Sequence, residues 1–140
     1  AEYETRHRSV YLLTQRMFDH SFLGLFDAPD TNSTTSQRTS ADVAAQALFL
    51  MNSPFIRQQA EAFAERLVRE RSNDEERVSL AIELAYSRAP VPAESTAFRN
   101  YVEQFKAADT SDADDALIER KAWTSLARAI LTSNEFFFVD

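Results

Sequence analysis

Residues 54–71 read PFIRQQAEAFAERLVRER, and this stretch decides the fold class. Its apolar side chains recur every three or four residues, the spacing that places them on one face of an α-helix. They belong to Phe55, Ile56, Ala60, Phe63, Ala64, Leu67 and Val68. Pro54 stands at the first helical position, where a missing backbone N–H costs nothing. The stretch therefore predicts an amphipathic helix from Pro54 to about Arg71.

Outward from this helix, apolar periodicity and capping signals predict further helices. We expect them over residues 19–26, 40–51 and 72–86, from Pro92 onward, and over residues 111–132. A capping box of Ser72 and Glu75 would begin one of them, and Ser111 would cap the last. The 40–51 helix would bury Ala44, Ala47, Leu48 and Met51. Because no segment alternates apolar and polar residues over six positions, we predict an all-α fold, an irregular bundle of about five to six helices.

Polar and extended segments join and flank these helices. Residues 27–40 are almost wholly polar and form a loop that is long for a compact domain. Residues 9–13 and 133–140 are expected to form extended N- and C-terminal arms. The single glycine, Gly24, favours helices joined by polar loops over a sheet, whose turns need more glycine.

Length and charge restrict the class of protein. The 140 residues suffice for one core, so we expect a single helical domain over residues 1–140. The net charge of −7 argues against nucleic acid or an anionic membrane surface as a partner. No apolar run approaches eighteen residues, so no membrane insertion is expected. The chain starts with Ala-Glu-Tyr and without Met, which favours a C-terminal fragment of a larger protein.

The long polar loop carries a candidate site. Asp27 and Asp30 flank Pro29, and Arg38 lies near the other end of the loop. Paired carboxylates can perform acid–base chemistry or bind a cation through oxygen. The same residues also suit a tight turn pinned by an arginine, and no complete catalytic set accompanies them. Both interpretations stay open, and we expect no catalytic residue in these 140 positions.

Metal and cofactor chemistry lacks its usual residues. The chain has no cysteine, so it offers no thiolate ligand and no covalent haem attachment. His7 and His20 have no partner at ligand spacing. An acidic run lacks the glycine and closing glutamate of a calcium loop and suits a helix N-terminus instead; it comprises Asp109, Asp112, Asp114 and Asp115. We therefore expect no metal site and no cofactor here.

Three further polar residues are interpreted as structural. Gln46 and Asn52 adjoin apolar positions, and a buried amide needs a hydrogen-bond partner, which we expect to be loop backbone. Arg88 comes just before Ala89 and Pro90, at a helix C-terminus where a cation is favourable. A pairing of Arg88 with Glu94 is an equally good interpretation.

The C-terminal tail contains a candidate interface. Phe136, Phe137 and Phe138 are consecutive, and neighbouring side chains of an extended segment face opposite sides. At least one ring would then leave the core unless another part of a larger protein covers it. The alternative is a hook in which all three rings enter separate grooves.

An ordered series of short motifs resembles the C-terminal domain-of-unknown-function family 1553. The motifs are Arg8-Ser-Val-Tyr11, Phe26-Asp-Ala-Pro-Asp30, Arg38, Gln46-Ala-Leu48, Met51-Asn52, Arg88-Ala-Pro90 and Ser133-Asn-Glu-Phe136. The family is typical of planctomycetes and often ends large secreted proteins that contain a cytochrome c domain. The resemblance implies an extracytoplasmic protein, periplasmic or secreted, with haem in an upstream domain. Relatives often carry a cysteine before the arginine that matches Arg38, and this chain does not.

We therefore expect a non-catalytic helical module that docks onto other domains of its parent protein or onto a protein partner. The polar loop and the aromatic tail would provide the contact surfaces. The alternative is part of a composite enzymatic or polysaccharide-binding site that uses Asp27, Asp30 and Arg38.

Overall fold

The structure is a computed structural model that describes residues 8, 11, 25–26, 43–111 and 113–137. The predicted 27–40 loop lies outside these residues, as do all but the last two positions of the 19–26 helix. The same holds for most of the N-terminal arm and for residues 138–140. Predictions on those positions stay predictions.

Six helices account for most of the described residues. They are α1 (Val43–Asn52), α2 (Pro54–Glu70), α3 (Asp74–Tyr86), α4 (Pro92–Ala108), α5 (Asp115–Leu131) and α6 (Asn134–Phe137). The described ranges contain no strand. The all-α prediction is confirmed, and α2 begins at Pro54 as its sequence predicts.

The chain divides into two compact units, residues 1–49 and 50–140. In the first unit, Nε2 of Gln46 donates a hydrogen bond to the backbone oxygen of Leu25 over 3.0 Å. The Gln46 amide therefore has a backbone partner, as expected, but that partner is Leu25, which is helical and not part of a loop. The rings of Phe26 and Phe49 meet edge to face with centroids 6.1 Å apart. A single domain over residues 1–140 stays a prediction.

The core of the second unit forms where α2 packs along α5, the most extensive helix contact of the described chain. α4 packs against both α3 and α5, and α3 contacts α2. The largest fully buried side chains come from α2 through α5 and are Leu67, Val78, Ile82, Val102, Trp123 and Ile130. Burial of these apolar side chains supplies the main stabilising free energy of the unit.

Three helix predictions need correction. α3 is capped by Asn73, whose Oδ1 accepts a hydrogen bond from the Glu76 backbone N–H at 2.8 Å, and not by Ser72. The N-cap position of α5 is Asp114 and not Ser111. In α1 all four residues that were predicted to be buried are exposed, whereas Leu50 is buried; the four are Ala44, Ala47, Leu48 and Met51. Apolar side chains surround most of α1, so periodicity could not choose its inner face.

A buried arginine joins three helices of the second unit. Arg77 on α3 is 6% exposed. Its Nη1 lies 2.6 Å from Oε1 of Glu119 on α5 and 3.0 Å from Oδ1 of Asp74. Its Nε donates to the backbone oxygen of Arg71, and Lys106 on α4 adds an ion pair with Asp74. Because a buried charge must be paired, this network fixes the relative positions of α3, α4 and α5.

Candidate interaction surface at the C-terminal helix

The loop that leaves α3 begins with an unusual backbone conformation. Ser87, the C-cap of α3, has φ 56° and ψ 31°, in the left-handed region that L-residues other than glycine seldom occupy. Its N–H donates to the backbone oxygen of Glu83 over 3.0 Å, as in a left-handed helix end. Arg88 follows at once, so the end of α3 determines where its side chain starts.

Arg88, Glu94 and Glu135 form an ion triad. Nη1 and Nη2 of Arg88 each lie 2.9 Å from an oxygen of Glu94, in the first turn of α4. Nε and Nη2 lie 2.6 and 3.0 Å from the two oxygens of Glu135 on α6. Nη1 also donates to the backbone oxygen of Ala89. The five N–H groups of the guanidinium thus match five acceptor contacts, four of them in two bidentate forks and the fifth at the Ala89 carbonyl.

The contacts between Arg88 and its carboxylate partners shift the pKa of Arg88 and the pKa of Glu94. Hydrogen bonds from Arg88 to Glu94, and then to Glu135, raise the pKa of Arg88 above its ordinary value. The same hydrogen bond from Arg88 lowers the pKa of the Glu94 carboxyl, against the partial burial of that group. Both groups are therefore charged at neutral pH, which maintains the ion pairs.

Contacts outside the ion triad also attach the C-terminal segment to the end of α3. The Tyr86 hydroxyl and the Ser133 hydroxyl lie 2.9 Å apart and share a hydrogen bond. The Arg88 guanidinium lies over the Tyr86 ring, 5.3 Å from its centroid, at cation–π distance. Ser133 also accepts a hydrogen bond from the Phe136 N–H through its hydroxyl, at 3.3 Å, which starts α6. Tyr86, Arg88 and Ser133 thus join the end of α3 to α6.

The segment held in this way presents two aromatic rings. Phe136 and Phe137, called here the aromatic pair, are each 37% exposed. Their centroids lie 5.5 Å apart at an interplanar angle of 83°, an edge-to-face contact. Both residues belong to a helical turn, so the extended C-terminal arm predicted over residues 133–140 is wrong for 134–137. Both rings are partly exposed, and the candidate interface at the tail stays a prediction.

Comparison with known proteins places the chain in a family. Residues 1–102 match the family model PSD1, described as a protein of unknown function (DUF1553). The chain belongs to this family. No curated protein and no solved structure matches the chain.

Two motifs that carry the DUF1553 resemblance meet in space. Arg88 of the Arg-Ala-Pro motif binds Glu135 of the Ser-Asn-Glu-Phe motif. The first motif lies within the matched residues 1–102, and the second lies beyond them. The predicted pairing of Arg88 with Glu94 is confirmed. The pairing of Arg88 with Glu135 was not predicted from the sequence. The place of Glu135 within that second motif was the available signal.

The other candidate residues of this DUF1553 chain have separate outcomes. Asp27, Asp30 and Arg38 lie outside the described residues, so the loop site stays a prediction, and Phe138 also lies outside them. In the acidic run, the Ser111 hydroxyl and N–H donate to Oδ1 of Asp109 over 2.5 and 3.0 Å. The hydroxyl hydrogen bond, above all, lowers the pKa of Asp109. The Asp109 carboxylate also forms an ion pair with Lys121 at 3.3 Å, so neighbouring side chains stabilise its negative charge.

The described residues form neither a cluster of metal ligands nor an apolar pocket. Among the described residues, no three His, Cys, Asp or Glu side chains gather as metal ligands would. An open groove of about 420 Å³ runs along α3, and Leu80 is the one apolar residue among its seven lining residues. Ligand pockets are mostly apolar, so this groove does not resemble one. None of the described helices is both long and apolar enough to cross a bilayer.

Proposed function

We propose that this DUF1553 chain is a non-catalytic helical module that docks, through the aromatic pair, onto other domains of a secreted multidomain protein. The observation that carries the proposal is the exposure of two adjacent phenylalanine rings on a helix that side-chain contacts hold in place. Aromatic residues are enriched in protein interfaces and supply much of their binding energy. The aromatic pair therefore supports docking better than catalysis.

The way the pair is held adds to this support. A free phenylalanine side chain loses rotational freedom when it binds, and that loss weakens the complex. Phe136 and Phe137 already contact each other edge to face, and α6 is anchored through Ser133 and Glu135. The ordering cost is thus met within the chain, before any partner arrives.

The family resemblance supports the setting of the proposal. The resemblance implies that this chain ends a large exported protein, so we propose an extracytoplasmic, periplasmic or secreted location and a planctomycete source. The docking partner is then an upstream domain of the same polypeptide, and any haem lies in that upstream part. The net charge of −7 agrees with a protein partner and not with nucleic acid.

A scattering experiment on the full-length protein tests this proposal. The variant Phe136→Ala/Phe137→Ala removes both rings, and small-angle X-ray scattering then measures the radius of gyration. We expect that radius to rise as the module separates from its neighbour. Phe55→Ala is the matched control, because Phe55 is a more exposed phenylalanine at the start of α2. Equal radii for the wild type, the double variant and the control would contradict the proposal.

A further inference from the structure

We infer that the ion triad is a salt-sensitive latch that keeps α6 ordered, so that docking through the aromatic pair weakens as ionic strength rises. The docking half of this statement rests on the proposed function. The latch half concerns the isolated chain alone and can be tested without a partner.

α6 cannot order itself. It has four residues, a single turn, and isolated helices shorter than about 12–15 residues are marginal in water. Among the described residues, the side-chain hydrogen bonds that hold it to the bundle are those of Ser133, which directly precedes α6, with Tyr86 and of Glu135 with Arg88. The first is one neutral hydrogen bond, whereas the second is a bidentate ion pair, and charged hydrogen bonds are roughly twice as strong as neutral ones. Glu135 is therefore the main anchor.

The two carboxylates of the triad differ in their exposure. The Glu94 side chain is 17% exposed and stands in the first turn of a 17-residue helix. The Glu135 side chain is 48% exposed and stands on the four-residue α6. Dissolved ions screen exposed charges much more than buried ones. When salt weakens the triad, the Arg88–Glu135 fork opens first, and the Arg88–Glu94 fork remains.

The predicted sign of the salt effect separates this inference from a simple apolar contact. Salts that are excluded from protein surfaces strengthen the burial of apolar groups, so a contact between rings alone does not weaken with salt. The latch predicts that docking weakens as the salt concentration rises. Once salt has opened the ion triad, α6 is disordered, and docking must then include the entropy cost of ordering it. The Debye length falls from about 10 Å at 0.1 M salt to about 3 Å at 1 M, which spans the useful range.

The latch is tested by NMR relaxation of the isolated 140-residue chain. Backbone order parameters of residues 134–137 are measured for the wild type at 0.05 and 0.5 M NaCl, and for Glu135→Gln and Arg88→Gln at 0.05 M. We expect order parameters near 0.85 in the wild type at low salt and below about 0.6 in both variants and at high salt. Unchanged values in Glu135→Gln would overturn the latch.

A second ion pair provides the control. Arg120 and Glu65 lie 2.5 Å apart, and both are about half exposed, as Glu135 is. Arg120→Gln removes that pair without touching α6, and we expect it to leave residues 134–137 ordered. Loss of order in this control as well would mean that general destabilisation, and not the triad, controls α6, and would overturn the latch.

The docking half is tested in the full-length protein. We expect its radius of gyration to rise between 0.05 and 0.5 M NaCl in the wild type and to stay high at both salt concentrations in Glu135→Gln. If Phe136→Ala/Phe137→Ala leaves the radius unchanged while the order parameters still fall with salt, the proposed function fails and the latch stands. If the double variant expands but salt has no effect on either quantity, docking stands and the latch fails.

Discussion

Arg88 and Glu135 lie 47 positions apart in the chain, yet Nε of Arg88 is 2.6 Å from Oε1 of Glu135. This contact closes the C-terminal segment onto the loop between α3 and α4. It also links two motifs, only one of which lies in the region matched by the family model. The position of the aromatic pair thus depends on a contact far away in sequence.

Acid is expected to weaken the ion triad, because the pKa of Glu94 is lowered in the folded chain. Its folded-state pKa is lowered, so its stabilisation is fully present above the unfolded value, 4.5, and is lost as pH falls through the folded value. We expect the urea midpoint of Glu94→Gln to lie below that of the wild type at pH 6 and to approach it at pH 3. Arg88→Gln is the control background, in which Glu94→Gln has the same small effect at both pH values. If the urea midpoints of the wild type and Glu94→Gln differed by the same amount at pH 6 and pH 3, the role given to the Glu94 carboxylate would be wrong.

The apolar core predicts that two leucine truncations in the same helix differ greatly in their effect on the free energy of unfolding. Leu126 of α5 is buried, whereas Leu117 in the first turn of the same helix is about half exposed. We expect Leu126→Ala to lower the free energy of unfolding by about 2–5 kcal/mol, because the truncation leaves a cavity. Leu117→Ala is expected to cost about 0.5 kcal/mol or less, as surface substitutions do. Chemical denaturation measures both, and similar losses would refute the burial described here.

The buried arginine predicts strong coupling with its partner. In a double-mutant cycle of Arg77→Ala and Glu119→Ala, we expect a coupling free energy of about 1–3 kcal/mol, because these residues share a partly buried network. The same cycle on the exposed pair Arg120 and Glu65 is expected to give about 0.2–1 kcal/mol. Urea denaturation of the seven proteins, the wild type and three variants of each pair, measures both coupling free energies. Coupling at Arg77 no larger than at Arg120 would show that the network does not fix α3 against α5.

The cap of α3 predicts unequal effects at adjacent positions. Asn73→Ala removes the oxygen that accepts the Glu76 N–H, and we expect it to cost about 1 kcal/mol of stability. Ser72→Ala, one residue earlier, is expected to change stability by about 0.5 kcal/mol or less. The comparison is made from thermal or urea unfolding. A larger loss of stability in Ser72→Ala than in Asn73→Ala would show that Ser72 caps α3, as the sequence predicted.

The sequence predicted the helices better than their ends. Periodicity and Pro54 locate α2, because burial requires the apolar face that the spacing provides. At α3 two capping patterns overlap, Ser72 with Glu75 and Asn73 with Glu76, so local sequence could not choose between them. The acidic run before α5 offers the same ambiguity, since any Asp or Ser in it can cap.

The candidate surface could be predicted only in part. Three adjacent phenylalanines drew attention to the tail, and Arg88 with Glu94 lies within one loop of sequence. The pairing of Arg88 with Glu135 depends on how α3 and α5 pack, which no local pattern encodes. The helical turn of α6 had a signal in Ser133, whose hydroxyl accepts the Phe136 N–H as a helix-starting serine does.

Docking through the aromatic pair is tested by hydroxyl-radical footprinting of Phe136 and Phe137 in two samples. One is the isolated 140-residue chain, and the other is the full-length protein that carries it. We expect Phe136 and Phe137 to oxidise readily in the isolated chain and to be protected at least several-fold in the full-length protein, while Phe55 oxidises equally in both. Equal oxidation of Phe136 and Phe137 in the two samples would contradict docking through the aromatic pair.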